Sequence, residues 1–571
     1  MLRLPARSRG SAPRKVALTG FPIDSCRPLR QRRNAALPRA LLYLFVICVS
    51  GALAADLPHF RSENGTQQLV VQGQPFLIRG GELGNSSAGT AAQADSILPA
   101  LARIHVNTVL APVAWEQVEP KEGVFDFTIL DRWIDVARQE HLRLVLLWFG
   151  AWKNAFSEYA PGWVKSDMKR FPRALSAHGA PLEILSTFGA ATLRADSAAF
   201  RSLMAHLREK DQEQQTVLMV QVENEIGYLG PGRDRSPEAG REFDGPVPRD
   251  LISKLEAMRA ELSPELAANF NPRGRAWREI FGDAANEVFM AWRYAMFVNS
   301  VAAAGKQEYP LPMYVNAQLP SLMERPGEYP SGGPHPYYLA VYRAVAPAID
   351  FYSPDIYSPE FEYWVKRYQF PGNPVFIPEA RIEPSPWNAL YAFGAAKAIG
   401  FCPFGIDSLK PPSTPGDSEP AIMQVYAAVS SLEDLLIAAQ PAGRTRGLVL
   451  HATSPRAAQT VALGGYLFEA SLSRAWSTNA LLANDGGMLL IESQPDEFFV
   501  VGSGLTVKIS RDPDTDSKVA GIASIEEVAR AGADWAVTAR LNGDQSNQGR
   551  QLSMNPRDVR TYRVRLYSAA Q

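Results

Sequence analysis

From about residue 68 onward, short apolar runs rich in β-branched residues alternate with stretches whose apolar positions recur at helical spacing. Eight runs read as strands: FLIRGGEL at 76–83, VNTVLAPV at 106–113, RLVLLWFG at 143–150, TVLMVQVEN at 216–224, LPMYVNAQ at 311–318, AIDFYSPDIY at 348–357, PVFIPEAR at 374–381 and GFCPFGID at 400–407. Strands alternating with helices are the pattern of parallel βα units, and eight of them over about 360 residues predict an α/β fold, a (β/α)8 TIM barrel. No strand runs into a glycine-rich phosphate loop, which disfavours an open doubly wound sheet. Two connections are long: Ala151 to Gln215 after the third strand, and the segment holding GYLGPGRDRSPEAGREFDGPVP after the fourth. In a barrel both leave the carboxyl face, and both are expected to wall a site there. Helical spacing recurs once more in EPAIMQVYAAVSSLEDLLIAA, Glu419 to Ala439, and PAGRTRG, Pro441 to Gly447, then reads as a linker. Beyond it come LVLHATS, QTVALGGYLFEASL, GGMLLIESQ, EFFVVGSGLTVKIS and TYRVRLYS, which predict a β-sandwich.

Charge and composition refine this picture at the amino end. Residues 1–39 carry ten basic side chains against one acid, Asp24, leaving 48 basic and 58 acidic residues beyond. A body that acidic is not built to hold nucleic acid. The apolar stretch Ala40 to Ala55 follows the basic segment and ends in small residues, as a cleavable export signal does. The expected layout is a basic region and signal over 1–55, a barrel over 56–440 and a β-sandwich over 441–571, with the mature protein periplasmic or extracellular and without a membrane partner. Of Cys26, Cys48 and Cys402, only the last survives such processing, so stability has to come from packing. The seven histidines stand singly, with no spacing that suggests a metal site.

Candidate chemistry lies where strands four and seven end. TVLMV feeds into Asn224 and Glu225, and VFIP feeds into Glu379. Cleavage of a glycosidic bond needs one carboxylic acid to protonate the leaving oxygen and one carboxylate to attack carbon or activate water. Two glutamates at a barrel mouth repel each other and lose solvation, a cost that chemistry would explain. The chain holds its own control: Asn286 and Glu287 repeat the dipeptide within a helical stretch, where it reads as a solvated face. Arg381, two residues past Glu379, could instead pair with it as a structural ion pair. Trp115 and Trp152 could stack on a sugar ring. Tyr357 could hydrogen-bond the strand-seven glutamate, and Glu82, Asn316 and Asp407 end strands one, five and eight.

The stretches VQVENEIGYLG at 220–230 and NTVLAPVAWEQVEPKEGVFDFT at 107–128 resemble glycoside hydrolase family 35, the β-galactosidases, over roughly residues 65–410. The resemblance implies retention of anomeric configuration, with Glu225 as acid/base, Glu379 as nucleophile and Asn224 beside the acid/base, and it calls for carbohydrate as partner and for no cofactor or metal. It departs after strand three, where the family has an Ala and Glu pair and this chain has WFGAWKNAF at 148–156. Trp152, Lys153 and Asn154 are the substitutes expected to contact sugar there. The small C-terminal β domain resembles a bacterial subgroup whose members act on galactosylated plant polysaccharide such as xyloglucan. Other retaining glycosidases of the wider clan, a transglycosylase, and a non-catalytic carbohydrate-binding barrel are the rival expectations.

Overall fold

The computed structural model describes residues 56–569 apart from 231, 322, 411–418, 454–457, 476–477, 479, 483–484, 516–517 and 557. The expected export signal, Ala40 to Ala55, lies outside the described residues. Eight parallel strands close into a barrel in chain order: β1 (Ile78–Glu82), β2 (Thr108–Ala114), β3 (Arg143–Lys153), β4 (Val217–Asn224), β5 (Met313–Gln318), β6 (Phe351–Ile356), β7 (Phe376–Ala380) and β8 (Gly400–Pro403). All eight coincide with the apolar runs. Their near-continuous hydrophobicity follows from burial on both faces. In β3, Val145, Leu147 and Phe149 fill the barrel interior with Tyr314, Phe351 and Phe376, while Leu144, Leu146 and Trp148 pack outward against helices. A three-stranded antiparallel sheet over residues 59–76 adds Leu69 and Val71 to the interior core.

The final helical stretch departs from expectation. It breaks into Ala421–Ser431 and Glu433–Ala439, bent by 72° at Leu432. The Ser431 hydroxyl donates to the Ala428 carbonyl, competing with the helical ladder, and Glu433 pairs with Arg79 at the foot of β1.

Beyond the barrel lie a six-stranded and a four-stranded antiparallel sheet. The six-stranded sheet places Thr445–His451, Asp485–Gln494, Glu497–Ser503, Arg560–Ala569, Val519–Ala531 and Asp534–Leu541 side by side. Period-two alternation sends Leu448, Met488, Leu490, Phe498 and Val500 towards Phe468 and Val507 of the smaller sheet. The intervening Val449, Leu489, Ile491, Phe499 and Val501 join the barrel's helical core instead. The larger sheet is therefore a middle layer, covered by the smaller sheet on one side and by the barrel on the other. This corrects the reading of 441–447 as a linker: Thr445 to Gly447 already belong to a strand pressed on the Ser385–Gly394 helix. A Cβ on Gly447 would stand 2.7 Å from the Leu390 carbonyl oxygen, and one on Gly394 would stand 2.3 Å from that of Arg446. Only glycine allows so close an approach of helix and strand.

Candidate active site

A cleft of about 900 Å³ opens where the barrel strands end, and Glu225, Asp355 and Glu379 converge in it. The backbone prepares the position of Glu225. At the end of β4, Glu223 and Glu225 adopt left-handed φ of 62° and 43°, an unfavourable conformation for residues with side chains that here turns the chain sharply as it leaves the strand. The Glu225 amide donates to Asn316 Oδ1 at 3.0 Å, and Asn316 Nδ2 donates to Asp355 Oδ2 at 2.6 Å, so β5 ties β4 to β6. Asn154, just past β3 with φ 50°, donates its amide to Glu225. Pairing of β6 with β7 sets Asp355 directly opposite Glu379, and the Tyr357 hydroxyl donates to Glu379 Oε1.

One carboxylate oxygen from each of Glu225, Asp355 and Glu379 lies within 4.8 Å of the others, and all three residues are buried. Burial, then the charge of Glu379, pushes the Glu225 carboxyl up to about 8, against the opposing pull of Lys153, Asp355 and Asn154. Asp355 is raised well above the carboxylate range by burial, then by Glu379 and Glu225, and it shares a hydrogen bond with Glu225. Glu82, at the end of β1, is raised by the same causes, and neither of its oxygens has a hydrogen-bond partner among the described residues. Lys153, at the end of β3, supplies the cation: burial disfavours its charge, but the four carboxyl groups around it outweigh burial and hold it protonated. Burial, then the Glu379 charge, raises Tyr357, so its proton stays on the phenol.

A second carboxyl pair lies behind the site. Glu223 and Asp196 are fully buried, hydrogen-bonded to each other, and both raised, first by burial. Asp196 accepts from the Trp148 indole at 2.9 Å and the Ala151 amide at 3.3 Å, and Glu223 accepts from the Trp152 amide at 2.8 Å. The pair thus fixes the end of β3 that carries Lys153 and Asn154.

Of the residues singled out in the sequence, Glu225, Glu379, Asn154 and Tyr357 meet in the cleft. Asn224 is fully buried beside them, and both its amide atoms lack partners among the described residues. Trp115 and Trp152 do not serve as expected. Both are fully buried and face neither solvent nor cleft: the Trp115 indole donates to Glu119 at 2.8 Å, and that of Trp152 donates to the Leu185 carbonyl at 3.0 Å. Trp152 instead packs on Tyr294 and Phe297. Asp407 accepts from the Gly84 amide and the Ser87 hydroxyl, fastening the loop after β1. Arg381 lines the cleft as an exposed side chain, without an ion pair to Glu379 among the described residues. Glu287 is not on a solvated face: it is buried and accepts the Tyr329 hydroxyl at 2.7 Å.

The cleft walls also differ from expectation. They come largely from the loops after β5 and β6, including Leu319, Met323, Glu324 and Glu360; of the two long insertions, only Lys153 and Asn154 at the start of the first line the cleft among the described residues. Those insertions are pinned to each other, with the Leu175 amide and the Ser186 hydroxyl both bonded to Asp234. The sequence reading passed over Asp355 and the Asp196–Glu223 pair. Asp355 stands two residues before Tyr357, a spacing that could have drawn attention to it, whereas Asp196 lies mid-helix with no local signal.

Residues 89–258 match the family model of glycoside hydrolase family 42, described as β-galactosidase, and residues 422–553 match a domain of unknown function, DUF5597. Over residues 89–258 this chain is similar to a glycoside hydrolase family. The family match supports a β-galactosidase-like hydrolase of the wider clan and does not single out family 35, which the sequence resembles. No curated protein matches the chain. Similar solved structures include the β-galactosidase from Bacillus circulans sp. alkalophilus, at 14% identity over 64% of this chain and 57% of that one, TM-score 0.43. Another is the β-mannanase from the blue mussel Mytilus edulis, at 12% identity over 66% of this chain and 97% of that one, TM-score 0.40. The chain thus spans little more than half of the Bacillus enzyme.

Proposed function

We propose that the protein is an exported, exo-acting retaining β-galactosidase that removes terminal β-galactosyl residues from plant oligo- or polysaccharides such as xyloglucan side chains. The observation that carries this reading is the separation of the Glu225 and Glu379 oxygens, within 4.8 Å. Retention uses carboxyl groups about 5–5.5 Å apart, whereas inversion needs about 6.5–9.5 Å to admit a water. Glu379 attacks the anomeric carbon while Glu225, protonated at neutral pH, gives its proton to the departing oxygen. Water then attacks the same carbon, Glu225 takes its proton, and the bond to Glu379 breaks. Asn224, with its amide unpartnered, is suited to a sugar hydroxyl. The galactose preference is supported by the family match over residues 89–258. A cleft of about 900 Å³ lies near the upper end of the roughly 300–1,000 Å³ typical of ligand sites, room for sugar on both sides of the scissile bond. Export rests on the Ala40 to Ala55 stretch.

A panel of nitrophenyl glycosides, followed by galactosylated xyloglucan oligosaccharides, tests the substrate. Glu379→Ala is expected to lose nearly all hydrolysis of an aryl β-galactoside and to recover part of it with azide. Full activity in that variant would remove Glu379 from the nucleophile role.

A further inference from the structure

Four carboxyl groups share this site with one buried ammonium, and the double displacement has a consequence for their charges. Glu82, Glu225, Asp355 and Glu379 come from β1, β4, β6 and β7, and Lys153 stands among them at the end of β3. Among the described residues Lys153 makes an ion-pair contact with none of the four. Its ammonium lies 5.1 Å from the centre of the Phe149 ring and lines the cleft beside both Glu225 and Glu379. The other titratable groups facing it are the phenols of Tyr159 and Tyr357, with Arg381 exposed at the rim and the Asp196–Glu223 pair behind.

We propose that Lys153 is a fixed counter-charge for a single negative charge that moves from Glu379 to Glu225 and back during each turnover. Before reaction the charge sits on Glu379. As its oxygen bonds to the anomeric carbon, the bond to the leaving oxygen breaks and the Glu225 proton goes to that oxygen. Glu379 is then a neutral ester and Glu225 the anion. When water attacks, its proton goes to Glu225, the ester bond breaks, and the charge returns to Glu379. At both stages the anion faces Lys153, which is bound to neither. In the ester stage the ammonium also prevents Glu225 from taking a proton back from solvent, which would leave no base for the incoming water. Burial, which raises Glu225 before reaction, would otherwise favour that loss. Lys153 acts through the two glutamates and is a positioning residue.

The inference rests on the double-displacement reading and not on the identity of the sugar. The test compares wild type with Lys153→Met and Lys153→Arg on a dinitrophenyl β-galactoside, or on whichever dinitrophenyl glycoside the wild type cleaves fastest. Failure of the wild type on the galactoside alone counts against the galactose preference and leaves the Lys153 comparison intact. In stopped flow, Lys153→Met is expected to release a burst of about one equivalent of phenol and then turn over slowly. Its kcat falls roughly a hundredfold, its kcat/KM falls less, and the pH dependence of the slow phase moves upward. Lys153→Arg retains the wild-type profile. Equal losses in kcat and kcat/KM, with no burst and a pH profile superimposable on wild type, would overturn the proposal. Lys153→Gln, neutral but polar, repeats the comparison if the Met variant does not fold.

Discussion

Glu225 and Glu379 need opposite things from one cleft, and individual contacts divide the work. Glu225 must hold a proton at neutral pH, and burial beside an anion achieves this. Because the acid form is the one that donates, kcat/KM is expected to fall as pH rises through about 8. Glu225→Gln abolishes that limb and lowers kcat/KM for poor leaving groups by roughly 10²–10⁴; for a dinitrophenyl leaving group kcat/KM changes little while kcat falls, because the base for the incoming water is lost. A wild-type profile flat to pH 10 would separate the limb from Glu225. Tyr357 works on the partner, since its hydroxyl donates to Glu379 and orients the attacking carboxylate. Tyr357→Phe removes a hydrogen bond to a charged group, about 1.5–3 kcal/mol, so kcat/KM for an aryl galactoside is expected to fall roughly tenfold or more. An unchanged value would reduce Tyr357 to packing.

At the scale of elements, strand ends position the chemistry and a loop shapes its rim. The loop after β5 forms one wall and is held from beneath by Glu287, which accepts the Tyr329 hydroxyl while the Tyr342 hydroxyl donates to the Gly332 carbonyl. Glu287→Ala leaves the Tyr329 hydroxyl buried without a partner, costing about 1–3 kcal/mol locally. The expected kinetic signature is a raised KM for oligosaccharides, whose further sugar units reach this wall, with little change for an aryl galactoside. Equal effects on both substrates would place the loop outside substrate contact. Elements of this kind were only partly legible in the sequence. The eight strands were readable because burial on both faces writes long apolar runs, and Glu225 and Glu379 were readable because each ends such a run. Side chains whose roles depend on partners far along the chain were not. Asp196 meets Glu223 across 27 positions, and nothing local marks Trp115 or Trp152 as core rather than cleft residues.

For the whole molecule, the buried carboxyl groups set a pH signature of stability. Glu82, Asp196, Glu223, Glu287 and Asp355 all bind protons more tightly folded than unfolded, first because of burial. Their contribution is fully present below the unfolded carboxyl range near 4 and is lost as pH rises through the folded values. Tm is therefore expected to decline as pH rises above the unfolded carboxyl range near 4, and Glu223→Gln, which stays neutral, to flatten that decline. A Tm that rises with pH above that range would contradict the assignment. The layered architecture has a consequence of another kind, in time. The Ser385–Gly394 helix is covered by the strands Thr445–His451 and Asp485–Gln494, whose sheet is completed only by the strand ending at Ala569, so the barrel is translated before its outer cover exists. At about 5–20 residues per second, roughly ten seconds pass with an apolar barrel face open to the surroundings. A nascent chain in that interval is a client for chaperones, and one stopped short of its last strands is prone to aggregate however complete its active site.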